Sequence, residues 1–146
     1  MTAHPDAAER VRRSFDKQQI MHTIGATLGR VDAGAVEIIM PVRPDLTQQH
    51  GYVHAGVVAT LADSACGYAA LTVMPDDAAV LSIEFKVNLL APAEGVRLIA
   101  RATVVKSGRT IVVCTADVHA DRGDTEKLVA TMTGTMMVVK GRGLVD

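Results

Sequence analysis

Tryptophan is absent from the 146 residues, and two tyrosines with two phenylalanines bring the aromatic share to only 3%. Stacking platforms for nucleobases are therefore lacking. Charge of one sign is lacking too: 15 Lys and Arg stand against 16 Asp and Glu, a formal net charge of −1 with no basic run. That balance excludes an electrostatic grip on nucleic acid. Cysteine is scarce, and Cys66 and Cys114 form no spaced framework. They read as buried reduced thiols, not as a disulfide or a metal pair. His50 and His54 flank Gly51, but with no third histidine or adjacent carboxylate no metal site is expected. A glycine-rich phosphate loop is missing as well. The segment Met1-Thr2-Ala3-His4-Pro5-Asp6 has no basic region followed by an apolar core, so no secretory leader is read and the cytoplasm is the expected compartment.

What the chain has in quantity is small and aliphatic, with hydrophobic types making up 49%. Its length suffices for one domain with a real core. From His54 to Met74 almost every position is apolar or small. Ala, Leu and Met favour helix, and Pro75 is expected to stop the run after more than five turns of about 3.6 residues each. Such a stretch reads as a helix buried on most sides. Asp63 at its middle, His54 at its start and its many Ala and Gly argue against a membrane span. After the histidine, Asp63 is its one charged group, and an unpaired buried carboxylate is costly. It needs a reason.

Ahead of that helix, residues 6–22 predict a short polar helix anchored by Val11, Phe15 and Met21. Residues 26–32 and 35–42 read as two strands joined at Ala33-Gly34, with Val36, Ile38 and Met40 sharing one face. A loop over 45–53 gathers Gln48, Gln49, His50 and Gly51. Behind the helix the period changes to two. Residues 79–90 alternate, with Leu81, Ile83, Phe85, Val87 and Leu89 expected on one face and Ser82, Glu84, Lys86 and Asn88 on the other. Residues 96–105 and 110–120 are β-branched runs joined by Lys106-Ser107-Gly108-Arg109, a hairpin signal. A last strand covers 125–140, with Thr131, Thr133, Thr135 and Met137 on one side, and 141–146 is a tail. Met132, Met136 and Met137 read as core or pocket lining. Consecutive strands with tight turns imply an antiparallel sheet, and one nearly all-apolar helix must be wrapped by it. The fold class is α+β with one central helix and six strands.

Gly51-Tyr52-Val53-His54-Ala55-Gly56 followed by Leu61-Ala62-Asp63-Ser64-Ala65 resembles the "G-x-x-H-G-G … L-x-D-x-A" signature of the PaaI-like acyl-CoA thioesterases. Ser82 early in the next strand and Asn88-Leu89-Leu90-Ala91-Pro92-Ala93 at its end match as well. The order of elements is similar from about Met21 to Lys140, so the chain is expected to be a single hotdog domain over 1–146, with 1–22 an N-terminal helical segment. Two positions depart from the pattern. Ala55 stands where the family has its first glycine after the histidine, and Gln48 where many members have asparagine. Alanine still supplies the backbone N–H that the family uses, and glutamine occurs there in related aryl-CoA thioesterases of the same fold.

The resemblance implies hydrolysis of acyl- or aryl-CoA thioesters, with coenzyme A as part of the substrate and no separate cofactor. The leading N–H groups of the long helix, those of Ala55 and Gly56, lie at the positive end of its dipole and suit a developing oxyanion. Asp63 suits a general base or a nucleophile, and the two roles stay open. Ser82 is a candidate to hold the attacking water, and Gln48 or His54 to orient the loop or the thioester. Lys106, Arg109 and Arg142 are exposed candidates for the phosphates of CoA, with solvated turn and tail charges as the plain alternative. Ala55 and Asp63 lie eight residues apart on one helix, about 12 Å along its axis. If both act on one thioester, Asp63 comes from a second subunit. A homodimer with two equivalent sites is expected, and homotetramers are common in the family. The rival reading is a non-catalytic acyl-CoA-binding or regulatory hotdog module. A hotdog hydratase would need an Asp-His pair in a different local setting, which this chain lacks.

Overall fold

The computed structural model describes residues 6–146, so the reading of Met1 to Pro5 lies outside them. The N-terminal segment forms α1 (Ala7–Lys17) and α2 (Gln19–Thr23), not one helix. They are separated at Gln18, whose backbone is extended. Val11, Phe15 and Met21 are buried, as the sparse apolar spacing predicts. Two short strands follow, β1 (Thr27–Asp32) and β2 (Ala35–Pro41), and Val36, Ile38 and Met40 of β2 all face the core. A single 3₁₀ turn over Pro44–Leu46 opens the loop that leads to α3 (Ala55–Leu71). Then come β3 (Ala79–Leu89), β4 (Arg97–Ser107), β5 (Ile111–Asp121) and β6 (Glu126–Val139).

α3 has 17 residues, just under five turns, and so ends earlier than Pro75 alone implies. Thr72 ends it by a side-chain route. Its hydroxyl donates to the Ala69 carbonyl and accepts the Gly34 N–H, both at 2.7 Å. The β1–β2 turn is thereby tied to the end of the helix. Arg10, buried on α1, donates to the carbonyls of Met74 and Ala78 and pins the segment beyond.

The six strands form one antiparallel sheet in the order β1-β2-β4-β5-β6-β3. Register shifts in the β1, β3, β4 and β5 pairings bend it, since an inserted residue kinks a strand and raises its twist. The curved sheet wraps α3, which touches β2 through β6. This is the hotdog fold. The small residues of α3 permit the close wrap: Ala62, Cys66 and Ala70 are fully buried. Gly134 of β6 meets that stripe, and a Cβ there would come within 2.9 Å of Met136 Cε and 3.6 Å of Cys66 Cβ. Thr131, Thr133 and Thr135 lie on the outer side of β6 as expected, and Met132 and Met136 in the core. Met137 is a correction, because the period of two puts it outside, 38% exposed.

Both sheet edges are open to inspection. β1 is short, bulged and packed beside α1. β3 is long and carries Leu81, Ile83, Phe85 and Leu89, each between 45% and 55% exposed. The single apolar face expected for β3 is not formed. Leu81 pairs with outward Met137, whereas Phe85 and Val87 pair with inward Gly134 and Met132. The register shift between Ser82 and Glu84 divides the strand.

Candidate active site

Asp63 sits near the middle of α3, half-buried, with its carboxylate on the wall of a cleft of about 470 Å³. From Leu61 to Leu71 only Asp63 and Gly67 of this helix are not buried, which accounts for the absence of other charges along that stretch. Ser82 closes on it from β3, donating its hydroxyl to Asp63 Oδ1 at 2.7 Å. The Ser82 Oγ also lies 3.2 Å from Met136 Sδ. A strict period of two along β3 would put Ser82 with Glu84, Lys86 and Asn88. The inserted Ile83 reverses the phase, so Ser82 pairs with inward Met136, and Glu84 with outward Thr135. Glu84 accepts the Thr135 hydroxyl on that outer face, 3.1 Å away.

The start of α3, about two turns before Asp63, opens on a second cleft of about 410 Å³, bordered by Gln48, Tyr52, Ala55, Leu89 and Leu90. His54 caps the helix: its Nδ1 accepts the Gly56 N–H at 2.8 Å. Of the two N–H groups singled out in the sequence, Gly56's is thus engaged locally. Ala55's has no partner among the described residues. Gln48 turns its side-chain oxygen to the His50 N–H, and its own N–H donates to the Tyr52 carbonyl at 2.8 Å, which shapes the loop before the helix. One chain therefore sets Asp63 at the middle of α3 and Ala55 at its start, beside opposite ends of β3, and does not bring them together.

Lys106 and Arg109 flank the β4–β5 hairpin and Arg142 follows β6. All three are exposed, border neither cleft, and make no ion pair or hydrogen bond among the described residues. They belong to the end of the sheet where β3 begins and β6 ends, the end that carries Asp63. No group of three or more His, Cys, Asp or Glu among the described residues is placed to hold a metal.

Sequence reasoning missed the far wall of the Asp63 cleft. Gly67 and Tyr68, on the next turn of α3, line it, and Gln18 meets them from the break between α1 and α2. The Tyr68 hydroxyl donates to Gln18 Oε1 at 3.3 Å, and burial pushes the phenol above its ordinary pKa, so it stays protonated. Its spacing from Asp63 was the available signal; nothing local in the sequence points to Gln18. Asp146 borders the same cleft, accepting the Ser14 hydroxyl at 3.1 Å and the Val80 N–H at 2.7 Å. Cys66 and Cys114 are free and enclosed. Burial raises both thiols, Cys114 to about 12, which removes them as nucleophiles at neutral pH.

A carboxylate held by a hydroxyl on one cleft, and a helix N-terminus on a second, are groups whose chemistry suits an activated carbonyl. The comparisons with known proteins agree. Residues 50–127 match the sequence profile of the thioesterase superfamily. A thioesterase family protein from Silicibacter pomeroyi, of known crystal structure, is 52% identical, covers 92% of this chain and 99% of its own, and superposes with a TM-score of 0.91. The 1,4-dihydroxy-2-naphthoyl-CoA hydrolase of Listeria monocytogenes is 28% identical over 84% of this chain and 98% of its own. The PaaI protein of the E. coli phenylacetic acid degradation operon is 20% identical, covers 96% and 98%, and shares the fold with a TM-score of 0.84. The chain belongs to the thioesterase superfamily, with the PaaI-like hotdog fold, and is a thioester hydrolase.

Proposed function

We propose that the protein hydrolyses acyl- or aryl-CoA thioesters to the free acid and CoA, at sites built by two subunits. The observation that carries this reading is the Asp63–Ser82 pair at the middle of α3, with the unpartnered Ala55 N–H at its start. About 12 Å of helix separates the two, so one subunit cannot apply both to the same carbonyl. The exposed apolar β3 edge supplies a way to join them. Antiparallel pairing of β3 with its copy sets the start of one strand against the end of the other. The Ala55 cleft of one protomer then faces the Asp63 cleft of its partner.

In that site the thioester carbonyl points to the Ala55 N–H at the positive end of α3, which stabilises the oxyanion. Gly56's N–H joins it when His54 turns aside. Asp63 activates water or attacks directly, and Ser82 fixes which carboxylate oxygen is free. Gln48 holds the loop that shapes the carbonyl end. Lys106, Arg109 and Arg142 are proposed for the CoA phosphates, supported by their unpaired charges at the Asp63 end of the sheet. The cytoplasm is the proposed compartment, in keeping with two free thiols.

Thiol release from a panel of CoA thioesters, followed with a thiol reagent, tests the reading. Wild type is expected to release CoA, and Asp63→Ala to lower kcat by at least about a thousandfold with an unchanged Tm. No release by wild type, or undiminished release by the variant, refutes the assignment.

A further inference from the structure

Gly67 occupies the middle of α3, one turn after Asp63, where glycine weakens a helix relative to alanine. Nothing in the backbone asks for it, because its φ is not in the left-handed region. Packing within one chain does not ask for it either: a Cβ built at Gly67 meets no atom of the same chain within 4 Å. Gly134 shows the opposite case, where an added Cβ runs into Met136 and Cys66. What glycine does at position 67 is leave room in the Asp63 cleft, which it lines.

The far end of that room is polar. Tyr68 is one residue on, and its hydroxyl spends its proton on Gln18 Oε1. The Gln18 Nε2 group makes no hydrogen bond among the described residues, and a carboxamide nitrogen in a cleft is a ready donor. A purely aliphatic acyl chain reaching it leaves that donor unpaired, which is unfavourable.

Resting on the hydrolase reading above, we infer that Gly67 sets the depth of the acyl pocket and that Gln18, held by Tyr68, selects acyl groups with a hydrogen-bond acceptor at the distal end. The substrate class is a medium-length acyl thioester carrying a hydroxyl or carbonyl oxygen at its tip. Gly67 and Gln18 are specificity-determining residues; the bond-breaking step belongs to Asp63.

Acetyl-, hexanoyl- and 6-hydroxyhexanoyl-CoA are the probes, with kcat/KM read by thiol release. Gly67→Leu is expected to lower the hexanoyl-to-acetyl ratio by at least about tenfold, and Gly67→Ala to lower it less. Because the site is unpacked, Gly67→Ala raises Tm by about 3 °C through helix propensity. Gln18→Leu lowers the 6-hydroxyhexanoyl-to-hexanoyl ratio by about tenfold or more. Unchanged ratios in these variants, while Asp63→Ala remains inactive, overturn the pocket assignment and leave the hydrolase reading intact. A lower Tm for Gly67→Ala, or dissociation of the assembly by Gly67→Leu at every acyl length, assigns the glycine to packing and overturns it too. Absence of thiol release by wild type from these three probes, while another CoA thioester of the panel is hydrolysed, overturns the pocket assignment alone; absence from the whole panel overturns the hydrolase reading.

Discussion

At the scale of single residues, the proposed chemistry turns on where one hydroxyl points. Ser82 reaches Asp63 only because Ile83 is an extra residue in β3. Its hydroxyl donates to one carboxylate oxygen and, in the proposed site, leaves the other for water or thioester. Ser82→Ala is therefore expected to reduce kcat by about ten- to a hundredfold with little change in KM, since it disturbs the orientation of the proposed catalytic carboxylate and no binding contact. A KM-only effect in steady-state kinetics contradicts this. The thiols give a second residue-level test. Cys66 and Cys114 have no exposed surface and raised pKa values, so iodoacetamide at pH 8 should label neither in the folded protein and both after denaturation. Rapid native labelling, read by intact mass, argues against the enclosed helix.

At the scale of elements, the strands and the long helix were legible from local pattern, and the corrections come from longer-range causes. The period of two in β6 put the threonines outside and the two methionines inside. The same period misplaced Ser82, because a bulge is fixed by pairing with β6 and leaves no mark in β3's own alternation. The end of α3 was read from Pro75, whereas it is set by Thr72 in contact with a turn formed by residues far earlier in the chain. Gln18 was invisible for the same reason: it joins the cleft through the packing of α1 and α2. Electrostatics on the sheet's outer face are likewise a matter of register. Arg101 on β4 donates to both oxygens of Glu126 at 2.7 and 3.0 Å and to Glu37 at 2.9 Å. Its hydrogen bonds hold Glu126 below the ordinary carboxylate range. A carboxylate with a lowered folded pKa stabilises the fold fully above its unfolded pKa, near about 4.3, and loses that contribution as pH falls through the folded value. Glu126→Gln should thus cost under about 1 kcal/mol at pH 7, given the pair's exposure, and nothing once the carboxylate of wild type is protonated. Thermal melts of both proteins from pH 7 down to pH 2 should converge; a constant gap argues against this ion pair.

At the scale of the whole molecule, the two clefts are the organising fact. α3 borders one cleft at its start and the other from its middle, and the open β3 edge beside them is a surface that proteins seldom leave bare. The aspartate that looked out of place in an apolar helix is explained when it serves the neighbouring subunit's thioester. That claim can be tested by complementation. Ala55→Pro removes the free N–H at a position where proline suits a helix start, and Asp63→Asn removes the carboxylate while keeping its shape. Each variant alone is expected to be inactive. When the two are unfolded together at equal amounts and refolded, half the dimers are mixed and each mixed dimer has one intact site, so activity should return to about a quarter of wild type. Failure of the mixture to exceed the separate variants, with mixed dimers shown to have formed, contradicts a site shared between subunits.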